Sequence, residues 1–162
     1  PLGPVILNNT PLVAFWILDQ FKLLHDLYHE VLIPDAVLAE FLASEPHQRQ
    51  RALEQATWIA PAQLINARAA SIYTGLDRGE SEVLALAVER EARLVIIDER
   101  RARSYARRLH LPLTGTLGVL IAAKQKGLIP HVQPLIGSLQ SAGFYFHPAL
   151  IAEVLQAVDE GT

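Results

Sequence analysis

Cysteine is absent from the 162-residue chain, which excludes disulfides, thiolate zinc sites and a cysteine nucleophile. The absence is compatible with a reducing compartment, and a cytoplasmic protein is the expectation. Methionine is missing too, and with Pro1, Leu2 and Gly3 at the start this reads as the remnant of a cleaved tag, leaving 4–162 as one domain. No secretory pattern opens the chain. No apolar run approaches the roughly 20 residues of a membrane span, so a membrane is not an expected partner. Excess positive charge is also lacking: the formal net charge of −3 argues against nucleic-acid binding driven by total charge. A polyanion would have to be met locally.

Hydrophobic residues make up 51% of the chain and charged residues 19%, with proline and glycine scattered, so neither disorder nor a fibrous class fits. A chain of this length can bury roughly two thirds of its unfolded surface without staples. Short apolar runs at Val5–Leu7, Val31–Ile33, Trp58–Ala60, Leu94–Ile97 and Leu111–Leu113 read as strands. Helical spacing marks Leu12–Tyr28 (with Asp19 as a break), Pro34–Leu42, Pro46–Ala56, Ala62–Tyr73, Asp77 onward, the arginine-rich run to Leu109, and a helix through Lys126 closed by Gly127. Two further helices, Gln133–Ala142 and Pro148–Val158, flank Gly143 and a Phe-Tyr-Phe segment expected to pack them. Alternating strands and helices imply an α/β fold with a mostly parallel central sheet, since parallel strands need crossover connections.

The stretch from Leu76 to Arg103 concentrates the chemistry. Asp77 can cap a helix whose first turn holds Glu80 and Glu82. Val83, Leu84 and Ala87 follow Glu80 at i+3, i+4 and i+7, so its carboxylate runs along the buried face. Asp98 ends an apolar strand, where ligands of open α/β sheets gather. Asn8 ends the first strand, and Glu40 flanks an intervening helix. If the sheet brings these four together, their oxygens would suit a hard divalent cation such as Mg²⁺ or Mn²⁺. Behind them lie Arg100, Arg101, Arg103 and Arg107, whose guanidinium groups suit phosphate. The simpler readings are a capping box for Glu80, a helix cap for Asp98, turn chemistry for Asn8 and Thr10, and a solvated face for the arginines. His25 and His29 stand four apart without a third zinc ligand. Gly115–Gly118 lacks the Lys-Ser/Thr of a phosphate-binding loop, and Gly137-Ser138 is no nucleophile elbow.

Taken together, VILNNTPLV, IPDAVLAEF, LDRGESEVLALA, LVIIDERRAR and GTLGVLIAAKQKGLI resemble the PIN-domain family of metal-dependent ribonucleases, in its branch associated with toxin–antitoxin pairs. The resemblance implies a three-layer fold and an endoribonuclease using Mg²⁺ or Mn²⁺, a metal-activated water and RNA as substrate. It assigns the acidic positions to Asn8, Glu40, Glu80 and Asp98, with Thr10, Glu82 and Glu99 in support. A protein antitoxin and a second copy of the chain are the further partners it implies.

Two positions depart from the family pattern. Asn8 replaces the usual aspartate; its carbonyl can coordinate a cation but it cannot act as a base. Arg101 stands where many members have an acid. An RNA-binding or protein-interaction module with weakened catalysis is therefore the alternative to an active nuclease. A scaffold without a nucleic-acid role is the third reading.

Overall fold

A computed structural model describes residues 3–161; Pro1 and Leu2 of the suspected tag remnant, and Thr162, lie outside the described residues. The fold grows from short, mostly apolar strands. Val5–Leu7 (β1), Val31–Pro34 (β2), Ile59–Ala62 (β3), Leu94–Ile96 (β4) and Leu113–Thr114 (β5) form one sheet, all parallel, in the order β3-β2-β1-β4-β5. Val5, Ile6 and Leu7 are wholly buried, as a central strand covered on both faces requires. Each such side chain contributes about 1.5–3 kcal/mol through burial. Register is fixed by pairs such as Ile6 with Leu32 and Leu7 with Ile96.

The flanking helices are α1 (Asn9–Ile17), α2 (Phe21–Tyr28), α3 (Asp35–Leu42), α4 (Pro46–Gln55), α5 (Arg78–Glu89), α6 (Arg100–Arg108), α7 (Thr116–Gln125), α8 (Gln133–Ser141) and α9 (Pro148–Ala157). Asp19 does break the first helical stretch, adopting a left-handed φ of 53° between α1 and α2. Gly127, at φ 73°, closes α7: its N–H and that of Leu128 reach the carbonyls of Lys124 and Ala123. α3 packs on α5, and α5 on α6, while α7 touches α1, α2 and α9.

Three boundaries differ from the sequence expectation. Ala62–Tyr73 is not a continuous helix. Ala62 ends β3, and only Ala67–Ile72 winds into a 3₁₀ turn, capped by the Asn66 side chain accepting from the Arg68 N–H. The intervening chain is held by Glu89, whose carboxylate accepts from the N–H groups of Ile65 and Asn66. The third strand begins at Ile59 and the fifth at Leu113, each shifted toward its C-terminus. In the aromatic segment, Phe144 and Phe146 pack on the core as expected, but Tyr145 does not.

Candidate metal centre and nucleic-acid interface

The strand order runs outward from β1 through β2 to β3, and from β4 to β5 in the other direction, so the chain reverses its progress between β1 and β4. Open α/β sheets bind ligands in the crevice at that reversal, beyond the carboxyl ends of the strands. Asn8 stands there. Its N–H donates to the Ile96 carbonyl at 3.0 Å, and the residue is buried, with no capping bond from its side chain to α1. Asp98 follows β4 on the neighbouring strand end.

On one flank of the crevice, acidic side chains converge from α3, α5 and the start of α6. Asp77 and Glu80 form a reciprocal capping box: Asp77 Oδ1 accepts from the Glu80 N–H at 2.8 Å, and Glu80 Oε1 accepts from the Asp77 N–H at 3.0 Å. The capping role of Glu80 is therefore real, and it leaves the second carboxylate oxygen outside the box. Gly79 lets α3 come close, because a Cβ there would stand 2.9 Å from Glu40 Oε1. Burial raises the Glu80 pKa, as do the charges of Asp77, Glu99 and Glu40, against the opposing Asp77 N–H bond. Partial burial likewise raises Glu40, and Asp77 adds to the rise, while the Asn9 side chain favours the charged form. Glu40, Asp77, Glu80 and Glu99 thus form one repelling set.

Two of those residues were not central to the sequence reading. Asp77 appeared there only as a cap, and Asn9 only within the polar turn after the first strand. The Asn9 Oδ1 atom is buried without a partner, and a polar residue beginning a helix next to Asn8 was the only signal for it.

Asp98 stands on the other flank and is differently employed. It accepts from the N–H of Thr116 at 2.8 Å and from its hydroxyl at 2.5 Å, anchoring the start of α7 to the end of β4. Gly115 makes this approach feasible, since any Cβ there would collide with Asp98 Oδ1. Arg103 Nη1 donates to the Ile97 carbonyl at 2.8 Å. Burial and the nearby Arg107 lower the Arg103 pKa, and Asp98 opposes them.

The supporting residues separate in the same way. Glu99 caps α6 by accepting from the Ala102 N–H, yet its charge reaches Glu80. Glu82 turns to α3, accepting from the Ala36 N–H at 3.0 Å and pairing with Arg78 at 3.2 Å. Thr10 is exposed in the first turn of α1 and shares a groove with Asp98 and Arg103. Arg100 and Arg107 are exposed, while Arg101 donates to the Gly75 carbonyl at 3.2 Å. His25 binds the His29 carbonyl through Nδ1 and stacks against Trp58, a packing role.

Among the described residues, no three His, Asp or Glu side chains gather closely enough to enclose an ion by themselves. The donor set still fits a hydrated hard cation. Mg²⁺ keeps several waters and is commonly held by one or two carboxylates. Uncompensated charge on Glu40 and Glu80, and the orphaned Asn9 oxygen, are what such an ion would relieve. No helix among the described residues is long and apolar enough to cross a membrane.

A family model described as PIN domain matches residues 4–160. No curated protein matches the chain.

Proposed function

From the premise that the chain belongs to the PIN-domain family, whose members are of nuclease type, we propose that it is a Mg²⁺- or Mn²⁺-dependent endoribonuclease and the toxin of a toxin–antitoxin pair. One observation carries the reading: α3 and α5 bring Glu40 and Glu80 together, and burial and neighbouring carboxylates disfavour the charge of each. Such an arrangement is costly without a cation to justify it.

Glu40 and Glu80 would hold the metal, with the Asn8 carbonyl completing its shell and Asp98 facing the same crevice from the far flank. When bound, a divalent cation supplies a more acidic water and charge neutralisation at the phosphate. The chain's own groups do the rest. Arg103, fixed through the Ile97 carbonyl, and the exposed Arg100 and Arg107 offer guanidinium donors to the RNA backbone. Burial and Asp77 raise the Glu40 pKa, a cost to its charged form that a bound cation would offset. Asp98, held by Thr116, keeps a fixed negative charge at the strand end.

The test is cleavage of unstructured RNA by the purified protein with and without Mn²⁺. Dependence on Mn²⁺, and loss on Asp98→Asn and Glu80→Gln, is the expected result; inactivity under all metal conditions overturns the reading. The toxin role is tested by growth arrest on expression of the wild type but not of Glu80→Gln.

A second reading, a PIN domain that binds RNA with little turnover, is favoured by Asn8 and by the engagement of both Asp98 oxygens with Thr116. Asn8→Asp distinguishes the two: a large gain in cleavage supports weakened catalysis, and strong cleavage by the wild type removes it.

A further inference from the structure

We propose that the groove between α7 and the Gly143–His147 segment is a stacking subsite for one unpaired base of an RNA strand whose phosphate lies at Arg103. The inference rests on the RNA reading above and adds to it where the strand lies and how an unpaired base is selected.

The groove has a volume of about 500 Å³, within the usual range for a small-ligand pocket. Polar and apolar residues share its lining. Among them are Thr10, Asp98 and Arg103, with Asp98 on the flank of the crevice opposite Glu40 and Glu80. Asp98 keeps its charge, held by two Thr116 donors, and the Arg103 guanidinium beside it is the cation that an incoming phosphate would meet. The floor is apolar, made by Leu117 and Ile121 of α7.

The aromatic segment also lines the groove. Phe144 and Phe146 stack with ring centres 6.2 Å apart at 28° and pack on the core, which fixes the backbone between them. Tyr145 is left outside, 79% exposed, along the groove. A phenol ring displayed on a rigid support is a stacking surface open to any base, because every base has a π-face. Next to it, His147 accepts the Ala149 N–H through Nδ1 at 3.1 Å. The neutral ring therefore carries its hydrogen on Nε2, a donor for an acceptor on a base edge.

A nucleotide matches this set of surfaces: anionic phosphate at Arg103, sugar on the apolar lining, planar base on Tyr145 with its edge toward His147. A paired base is already stacked on both faces and has its edge occupied, so single strands and loops are selected over duplex.

The experiment measures binding of a fluorescein-labelled single-stranded RNA hexamer by anisotropy, in EDTA so that nothing is cut. Tyr145→Ala is expected to weaken binding about tenfold, and Tyr145→Phe to retain it. The same hexamer made abasic should bind wild type and Tyr145→Ala alike, and His147→Ala should change the preference among bases at one position. Equal binding of the intact hexamer by wild type and Tyr145→Ala overturns the inference, as does no measurable binding by the wild type. Loss of self-association in sedimentation with Tyr145→Ala, while hexamer binding is unchanged, also overturns it and assigns the groove to a second copy of the chain. Cleavage with Mn²⁺, scored separately, keeps the two proposals apart. A tenfold binding effect without cleavage leaves the subsite standing and removes the nuclease reading; cleavage with no Tyr145 effect does the reverse.

Discussion

Thr116 gives both its backbone N–H and its hydroxyl to one carboxylate, that of Asp98, at 2.8 and 2.5 Å. The hydroxyl is fully buried, so no water replaces it. A hydrogen bond to a charged group contributes about 1.5–3 kcal/mol. Thr116→Val keeps the N–H bond and the shape while removing the other. It should lower the melting temperature by about 4–8 °C, with Thr116→Ser close to wild type. Calorimetry of the two variants is the check; an unchanged Thr116→Val would mean that the hydroxyl bond adds nothing.

Glu80 combines a capping role with a place in the proposed metal centre, and the two can be separated. Glutamine can still accept the Asp77 N–H, and it removes a charge that burial and three neighbouring carboxylates disfavour. Glu80→Gln should therefore be at least as stable as wild type and still lose Mn²⁺-dependent cleavage by tenfold or more. Glu80→Ala should lose cleavage and about 1 kcal/mol of stability together. Equal activity of wild type and Glu80→Gln would remove Glu80 from the metal centre.

For Glu40 the pH dependence has a definite sign. Its folded pKa is raised by partial burial and by Asp77, so the folded chain binds more protons than the unfolded one above the ordinary glutamate value of about 4.3. Stability then falls as pH rises through that window, and the penalty is complete above the folded pKa. Glu40→Gln escapes it. Melting curves between pH 4 and pH 8 should show the variant gaining on wild type with rising pH, and millimolar Mn²⁺ should narrow the gap by stabilising wild type alone. A gap constant across pH contradicts the assignment.

Glu160 behaves oppositely. Burial would raise its pKa, but the Lys124 ammonium and the N–H groups of Val132 and Gln133 outweigh that and hold it at about 2. A depressed carboxylate contributes stability that is present above its unfolded value of about 4.3 and disappears as pH falls through the folded pKa. Glu160→Gln should cost about 2 kcal/mol at pH 7 and progressively less between about pH 4.3 and pH 2. Urea titrations at pH 7 and pH 2.5 would decide; an equal loss at both would show that charge is not involved.

The parts of this molecule legible in its sequence are those governed by neighbours along the chain. Continuous apolar runs announce β1, β2 and β4 because both faces of a parallel strand are covered, and the Asp77–Glu80 box is visible because a cap and its partner are always three residues apart. What escaped depends on distant partners. The helix expected over Ala62–Tyr73 yields to a grip from Glu89 on Ile65 and Asn66, more than twenty residues away. Asp98 and Glu80 look alike in sequence as acids at element ends. They are divided because Thr116, far downstream, draws Asp98 to α7, while α3 brings Glu40 toward Glu80. The involvement of Asn9 was illegible for the same reason, since its role is set by Glu40 on another helix.

The pairing of Leu7 with Ile96 has a temporal consequence. The strand that completes the crevice of Asn8 follows it by roughly ninety residues, a delay of about 5–20 s at ordinary rates of synthesis. Until β4 is in place beside β1, the strand end that carries Asn8 lacks the neighbour that leads to Asp98. Insertion of a late strand into the middle of the sheet is thus the step that assembles the crevice.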